Sequence, residues 1–377
     1  MKITHIIIGL NVGGAELMLK RLIESHLNHA EYEHSVISLT DLGKIGPELQ
    51  LMGIKVTALG MRNALNLPRT YSRLRRTLST DRPDIVQTWM YHADLLGGLA
   101  ARAAGVKNII WGVRTTEIKS GGSRITRLIR KACALLSHVI PTKIVCAASA
   151  AQKVHEDVGY VSRKMQVIHN GFDIDKLVAT PAQRDSVRTE AGFAAEHTVI
   201  GSVGRFNAVK DQKNFVQAAG LLAKSYANLR FMIVGRDLTP DNIQLMQWIA
   251  ATGAPECFTL LGERSDVPAC LAAMDIFCLH SRTEGFPNVV GEAMAMGKPC
   301  VVTKVGDAAF LVDNTGIVVP KEDPAALAEG LEKLLSLSPL ELSTLGRSAQ
   351  QRIHSRFTMN HSRQQFEKLY QAISSVV

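Results

Sequence analysis

The sequence predicts an α/β protein made of two doubly wound, parallel-sheet domains. Three observations predict it. Short apolar runs alternate with helix-periodic segments along nearly the whole chain, the pattern of parallel strands joined by crossover helices. A length of 377 residues suits two domains better than one. A strand, a glycine-bearing turn and a helix open the chain, and the same unit restarts near residue 198.

Taken in order, residues 2–9 read as a strand centred on Ile6-Ile7-Ile8. Gly9-Leu10-Asn11-Val12-Gly13-Gly14-Ala15-Glu16 is the turn, and Leu17, Leu19, Leu22 and Ile23 give the following helix its apolar stripe. Gly13 and Gly14 let a ligand approach the backbone closely. They do not spell G-x-G-x-x-G. Asp41, after a strand at 35–40, stands where a dinucleotide site keeps its ribose-binding acid, so a dinucleotide-dependent dehydrogenase is the lesser reading. Strands at 54–59, 85–87 and 108–113 alternate with helices at 70–78 and 94–104. Trp89-Met90-Tyr91-His92-Ala93-Asp94 and Trp111-Gly112-Val113-Arg114-Thr115-Thr116-Glu117 lie at carboxyl ends of strands, where parallel sheets bind ligands. His92 reads as a base, as a hydrogen-bond donor to substrate, or as a helix-start residue. Arg114 reads as facing an anionic acceptor. A strand at 143–147, a helix after Ser149 and a strand at 165–168 complete a first domain over 1–175. The polar stretch from His169 to about Gln183 reads as the linker. Asp173-Ile174-Asp175 within it reads as a hinge turn rather than a metal pair.

The second domain, 176–377, restarts with a strand at 198–203. Gly204-Arg205-Phe206-Asn207-Ala208-Val209-Lys210-Asp211 then sets two cations in a glycine loop at a strand's carboxyl end. Arg grips phosphate as a planar fork and Lys as a point charge. Strands at 230–234 and 258–261 and a helix at 243–249 continue the alternation. A buried strand at 276–279 leads into Glu284-Gly285-Phe286-Pro287, which is turn chemistry, and a helix from Asn288 that Gly297 stops. A helix N-terminus suits an anion, so a phosphate fits at the N–H groups of Asn288, Val289 and Val290. Glu284 in the loop and Glu292 in the second helical turn bracket it. Carboxylates repel phosphate and bind hydroxyls, which points to a sugar on one side and a ribose on the other. The plainer reading makes both glutamates solvated surface charges. A strand at 301–303, the Gly306-Asp307-Ala308 turn and helices over 323–375 follow, the last of them, from about 359, crossing back to the first domain.

Charge is uneven: residues 1–180 carry a net +10 and residues 181–377 a net −1. The excess therefore belongs to a surface of the first domain. It falls on Arg69, Arg73, Arg75 and Arg76, and on Lys119, Arg124, Arg127, Arg130 and Lys131 interleaved with Ile125, Leu128, Ile129, Leu135 and Leu136. The second set reads as an amphipathic helix with basic flanks for an anionic membrane surface, or else as a solvated face. Aromatic content of 5% and the absence of a recognition module argue against nucleic acid. No apolar run is long enough to span a bilayer, and the start of the sequence reads as a strand rather than a signal peptide. Six scattered cysteines, without metal-ligand spacing, read as reduced core thiols of the cytosol.

Glu284 and Glu292, with Gly285-Phe286-Pro287 between them and Ala293-Met294-Ala295-Met296-Gly297-Lys298-Pro299 after them, closely resemble the donor-site signature of the family 4 retaining glycosyltransferases. Gly204-Arg205, Lys210-Asp211 and Lys213-Asn214 resemble that family's diphosphate clamp. Leu261-Gly262-Glu263-Arg264-Ser265-Asp266-Val267-Pro268 resembles its loop beside the nucleotide base, and Gly13-Gly14-Ala15-Glu16 its N-terminal glycine turn. Thr88 to Gly98 resembles the subgroup that builds lipopolysaccharide, O-antigen or capsule. The resemblance covers nearly the whole chain. It implies a GT-B fold, two Rossmann-like domains facing a cleft. It implies a retaining hexosyltransferase that moves a hexose or N-acetylhexosamine from a nucleotide diphosphate sugar, UDP-linked, to a lipid-linked saccharide, with no metal or other cofactor, in the cytoplasm at the inner membrane face. Glu284 would then lie beside the donor sugar, with His92 as the second catalytic candidate. Arg205, Lys210 and the amides of Asn288, Val289 and Val290 would hold the diphosphate. Glu292 would hold the ribose, Arg264 would lie beside the base, and Gly13 and Gly14 would close onto the phosphates. The family often carries His where Arg114 stands, so that role does not pass to Arg114. The rival readings are a non-catalytic sugar-nucleotide-binding protein and the dehydrogenase.

Overall fold

A computed structural model of the chain describes residues 1–116 and 124–375. The chain divides into two compact units, Met1–Gly171 with Met359–Val377, and Phe172–Thr358.

In the first unit the strands are β1 (Lys2–Ile7), β2 (Glu33–Ser38), β3 (Lys55–Ala58), β4 (Ile85–Trp89), β5 (Asn108–Val113), β6 (Lys143–Cys146) and β7 (Met165–Val167). They form one sheet in the order β3-β2-β1-β4-β5-β6-β7, every described pairing parallel. The helices between them are α1 (Gly14–His26), α2 (Ile45–Leu51), α3 (Leu67–Asp81), α4 (Tyr91–Ala103), α5 (Arg124–Leu136) and α6 (Ser149–Asp157). The inner strands are buried on both faces, which is why they read as unbroken apolar runs. The strand order reverses direction at β1/β4, and that switch point is where an open sheet leaves a crevice outside its carboxyl ends. The last helix, Met359–Ser374, belongs to this unit. Met359, Phe366, Tyr370 and Ile373 pack with Ile7 and Trp89, and Tyr370 Oη donates to Gln87 Oε1 at 2.6 Å.

Two helix starts differ from the sequence expectation. The third helix begins at Leu67 rather than 70, because Pro68 fits a first turn. The fourth begins at Tyr91 rather than 94. Here β4 runs on to Trp89, and Met90 turns the chain in one residue at φ +73°, a conformation costly for any residue with a Cβ. Buried Asp94 then ties this helix to the sheet, accepting from Thr88 Oγ1 at 2.5 Å and from Gly112 N at 3.1 Å. Burial pushes its carboxyl up to about 7.

The second unit contains α7 (Pro181–Glu190), β8 (Thr198–Val203), α8 (Gln212–Ala223), β9 (Leu229–Val234), α9 (Ile243–Ala250), β10 (Phe258–Gly262), α10 (Val267–Ala273), β11 (Ile276–Leu279), α11 (Asn288–Ala295), β12 (Cys300–Thr303), α12 (Ala308–Val312), β13 (Gly316–Val319), α13 (Pro324–Leu335) and α14 (Pro339–Arg356). Its strands form a second parallel sheet, β10-β9-β8-β11-β12-β13, with its switch point at β8/β11. Helix α7 begins inside the stretch read as linker, where Thr180 and Gln183 form a capping box and Pro181 opens the first turn. The unit's first and last residues, Phe172 and Thr358, pair as a parallel bridge. All six cysteines are buried and unpaired. Among the described residues no helix is long and apolar enough to cross a membrane.

Candidate active site

The two loops that leave the β8/β11 switch point carry Arg205, Lys210 and Glu284 of the expected donor-site residues. After β8 the chain runs from Gly204 to Asp211, and after β11 from His280 to Pro287. The first loop is fixed at its start by backbone bonds. Gly204 N donates to Val234 O at 2.9 Å and Phe206 N to Arg236 O at 2.8 Å. Gly235, at φ +144°, makes that approach possible, since a Cβ there would strike the carbonyl of Gly204. Gln212, buried at the start of α8, donates to Arg205 O at 2.8 Å. Arg205 itself is exposed, and its guanidinium makes no ion pair among the described residues.

The far end of this loop is strapped to the second. Arg282 N donates to Val209 O at 2.8 Å. Arg282 Nη2 donates to Asp211 Oδ1 at 3.0 Å, with Nε 2.9 Å from Oδ2. Asp211 caps α8 in the left-handed region at φ +53°, a conformation Asp tolerates better than most residues. Lys210 Nζ donates to Glu284 Oε1 at 2.7 Å, and Ser281 Oγ donates to the same oxygen at 2.6 Å. The ion pair is largely shielded, with the Lys210 side chain 22% exposed and that of Glu284 12%. Glu284 is thus a held carboxylate rather than a freely solvated charge. Gly306, at φ +50°, lets the loop after β12 lie against it: a Cβ there would strike the carbonyls of Glu284 and Gly285, and Asp307 N donates to Gly285 O at 2.9 Å.

Phe286 stacks on Phe172 and lies tilted against Phe357, which anchors the turn into α11. Asn288, Val289 and Val290 form the first turn of that helix, and Glu292 stands one turn on from Asn288, on the same face. The expectation for Val290 needs correction. Its amide donates to Pro287 O at 3.1 Å, because Pro287 acts as the N-cap and its carbonyl closes the first turn. Arg264 follows β10 and is paired within its own surroundings, its Nε and Nη2 each 2.8 Å from an oxygen of Asp266 and its Nη1 2.6 Å from Glu190. Those bonds raise its pKa further above the usual guanidinium range.

In the first unit Gly13 is the N-cap of α1 and Gly14 its first residue, exposed; a Cβ on Gly13 would meet the Glu16 carboxylate. His92 is the second residue of α4, half-buried, and burial lowers its pKa. Arg114 is not open to solvent along its head group. It stacks on Trp89, 4.4 Å from the ring centroid, and Nη1 donates to Asn170 Oδ1 at 2.9 Å. Glu117 and Lys119 lie outside the described residues. Sequence reasoning missed Ser281 and Arg282 as site residues and gave Asp211, part of the Lys210-Asp211 motif, no role of its own. Their only signal is proximity to the singled-out loops.

The first unit's sequence matches the family model described as Glycosyltransferase Family 4 over residues 12–176, and the second matches glycosyl transferases group 1 over residues 197–337. The chain belongs to glycosyltransferase family 4. This glycosyltransferase is 28% identical over 244 residues to UDP-Gal:α-D-GlcNAc-diphosphoundecaprenol α-1,3-galactosyltransferase of Escherichia coli, an alignment covering 64% of this chain and 63% of that one. It is 26% identical over 305 residues to CapM, a capsular polysaccharide biosynthesis glycosyltransferase of Staphylococcus aureus, covering 77% of each. Its fold is similar to that of HepE from Anabaena, crystallised in complex with UDP, at a TM-score of 0.86 and 23% identity over 99% of this chain and 100% of that one. The two parallel-sheet, Rossmann-like units and this likeness make the fold GT-B.

Proposed function

We propose that this glycosyltransferase moves a hexose or N-acetylhexosamine from a UDP-sugar to a lipid-linked saccharide, with retention at the anomeric carbon and with side-chain cations in the role a metal plays elsewhere. The observation that carries the reading is the pairing at the second switch point: the Lys210 ammonium 2.7 Å from the Glu284 carboxylate, with Arg205 exposed on the same loop. A cation beside a held carboxylate suits a donor whose phosphate and sugar are neighbours. UDP is favoured because HepE binds it and because the Escherichia coli relative is named for a UDP-sugar. The lipid-linked acceptor is favoured by that relative's diphosphoundecaprenol substrate.

In this reading the bond from the anomeric carbon to the β-phosphate oxygen breaks as negative charge grows on UDP. Arg205, Lys210 and the amides of Asn288 and Val289 at the start of α11 stabilise that charge, most strongly in the transition state. Glu284 orients the sugar through its hydroxyls, and Glu292 holds the ribose. The acceptor oxygen bonds to the same face of the anomeric carbon, and its proton passes to the departing phosphate oxygen. His92 and the turn at Gly13-Gly14 serve the acceptor side and the phosphates, and Arg264 the side nearest the base.

The same reading places the enzyme peripherally at an anionic membrane face. On α5, Arg124, Arg127 and Lys131 are exposed, as are Ile125 and Leu128, each at 66%, and Leu135 at 75%. Apolar and basic side chains exposed on one helix match an anionic lipid surface, where each cation near the surface contributes about 1 kcal/mol. Arg130 is only partly exposed and belongs less to that face. The test is nucleotide release over a panel of sugar nucleotides, first alone and then with lipid-diphosphate saccharides. Release from a UDP-sugar that accelerates with the lipid is expected. Indifference to every donor refutes the reading.

A further inference from the structure

His280 directly follows β11 and is 4% exposed. Its Nδ1 lies 2.6 Å from the carbonyl oxygen of Lys210, and its Nε2 lies 2.6 Å from Ser202 Oγ on β8. Its ring stacks on Phe215 of α8, centroids 5.0 Å apart and planes 26° from parallel. A carbonyl oxygen only accepts, so Nδ1 carries the proton. In the neutral ring Nε2 is then the acceptor, and the Ser202 hydroxyl donates to it. The tautomer is therefore set from both sides. Burial holds the imidazole down at about 4, which keeps it neutral at ordinary pH.

The carbonyl so gripped belongs to the residue whose ammonium reaches Glu284. On one side of it Val209 O is taken by Arg282 N, and on the other Asp211 turns the chain at φ +53° into α8. Without the ring, the Lys210 carbonyl would lose a buried donor, and the peptide would be free to rotate toward another partner. We infer that His280 is a positioning residue for the nucleotide diphosphate, its Nδ1–H fixing the Lys210 backbone so that the ammonium is presented to the donor's phosphates. The inference rests on the donor reading proposed above.

The test compares UDP with uridine on the full chain by calorimetry, since only UDP carries phosphate. Asn at 280 places an amide N–H where Nδ1 stood, whereas Gln places its amide out at Nε2. His280→Asn is expected to keep UDP affinity within about threefold, and His280→Gln to lose about tenfold, the loss of one hydrogen bond to a buried group. Uridine affinity stays unchanged in both. Equal UDP affinity in His280→Gln and the unsubstituted protein overturns the role. So does a parallel fall in uridine affinity, which would mark general loosening. Should either variant fail to fold, nitrogen-15 histidine spectra of the unsubstituted protein decide: a neutral ring protonated at Nδ1 is expected, and an Nε2–H tautomer overturns the proposal. If the unsubstituted protein binds UDP no more tightly than uridine, the donor reading itself falls, before any substitution is made.

Discussion

Arg205→Ala separates chemistry from folding. The guanidinium is exposed and makes no ion pair among the described residues, so its removal leaves no buried partner behind. The backbone around it keeps its own ties, Gln212 Nε2 to Arg205 O at 2.8 Å and Phe206 N to Arg236 O at 2.8 Å. Stability should therefore change by no more than about 0.5 kcal/mol, the range of ordinary surface substitutions. The catalytic loss is of another size. A preorganised donor aimed at charge that develops in the transition state contributes about 3 kcal/mol, a hundredfold or more in kcat. Because UDP-sugar already carries part of that charge, KM should rise less than kcat falls. Lys210→Met is the contrasting case. It removes the cation paired with the largely shielded Glu284 carboxylate, 12% exposed, while the Ser281 hydroxyl still donates to it. It should therefore lose roughly 1–3 kcal/mol of stability as well as turnover. The assay is steady-state nucleotide release with donor and lipid acceptor, alongside urea unfolding of each variant. An Arg205→Ala enzyme that turns over normally, or that loses stability in step with activity, would refute the clamp.

Three further outcomes are expected. Gly306→Ala forces a Cβ onto the Glu284 and Gly285 carbonyls at φ +50°, so urea unfolding should show a loss of about 2–4 kcal/mol; a change within measurement error removes the argument that this turn braces Glu284. Replacing Arg124, Arg127 and Lys131 with Ser should release the protein from vesicles containing anionic lipid while leaving neutral vesicles unaffected, and retention on anionic vesicles discards the α5 surface. Stability should fall as pH drops below the ordinary histidine value of 6.5. His5 and His34 share a hydrogen bond at 2.9 Å, Trp89 Nε1 donates to His5 at 3.2 Å, and burial holds His34 down at about 3. Both folded values lie below the unfolded one, so the unfolded chain binds protons first and their contribution is lost from about 6.5 downward. Burial likewise holds His26, His155 and His280 down at about 4, so they add to the same slope rather than oppose it. A flat urea midpoint from neutral pH to about 5 would contradict this.

How much of this was legible in the chain depends on which physical rule wrote each part. Residues 198–203 and 276–279 read as strands because a parallel strand covered on both faces must be apolar throughout, and they are strands over those same residues. Lys210 and Glu284, 74 positions apart, each stand out only within their own loops. What joins them is the strand order, which sets β8 beside β11, so their meeting was implicit in a doubly wound sheet and nowhere in local spacing. The alternation rule fails where backbone geometry, rather than side-chain pattern, decides. Met90 occupies a conformation that favours glycine, so nothing in its identity announces that α4 starts one residue later. Asp211 does the same before α8. The place of the Val290 amide in the sequence suggests a phosphate donor, yet Pro287, which opens the helix, also supplies the carbonyl that accepts from it. Arg282 and Ser281 are side chains whose role exists only once the second loop has folded against the first. A sequence can nominate the charges that face a ligand, because their chemistry is their own. The residues that hold those charges in place act through backbone carbonyls and neighbouring side chains, and a carbonyl has no letter in the sequence.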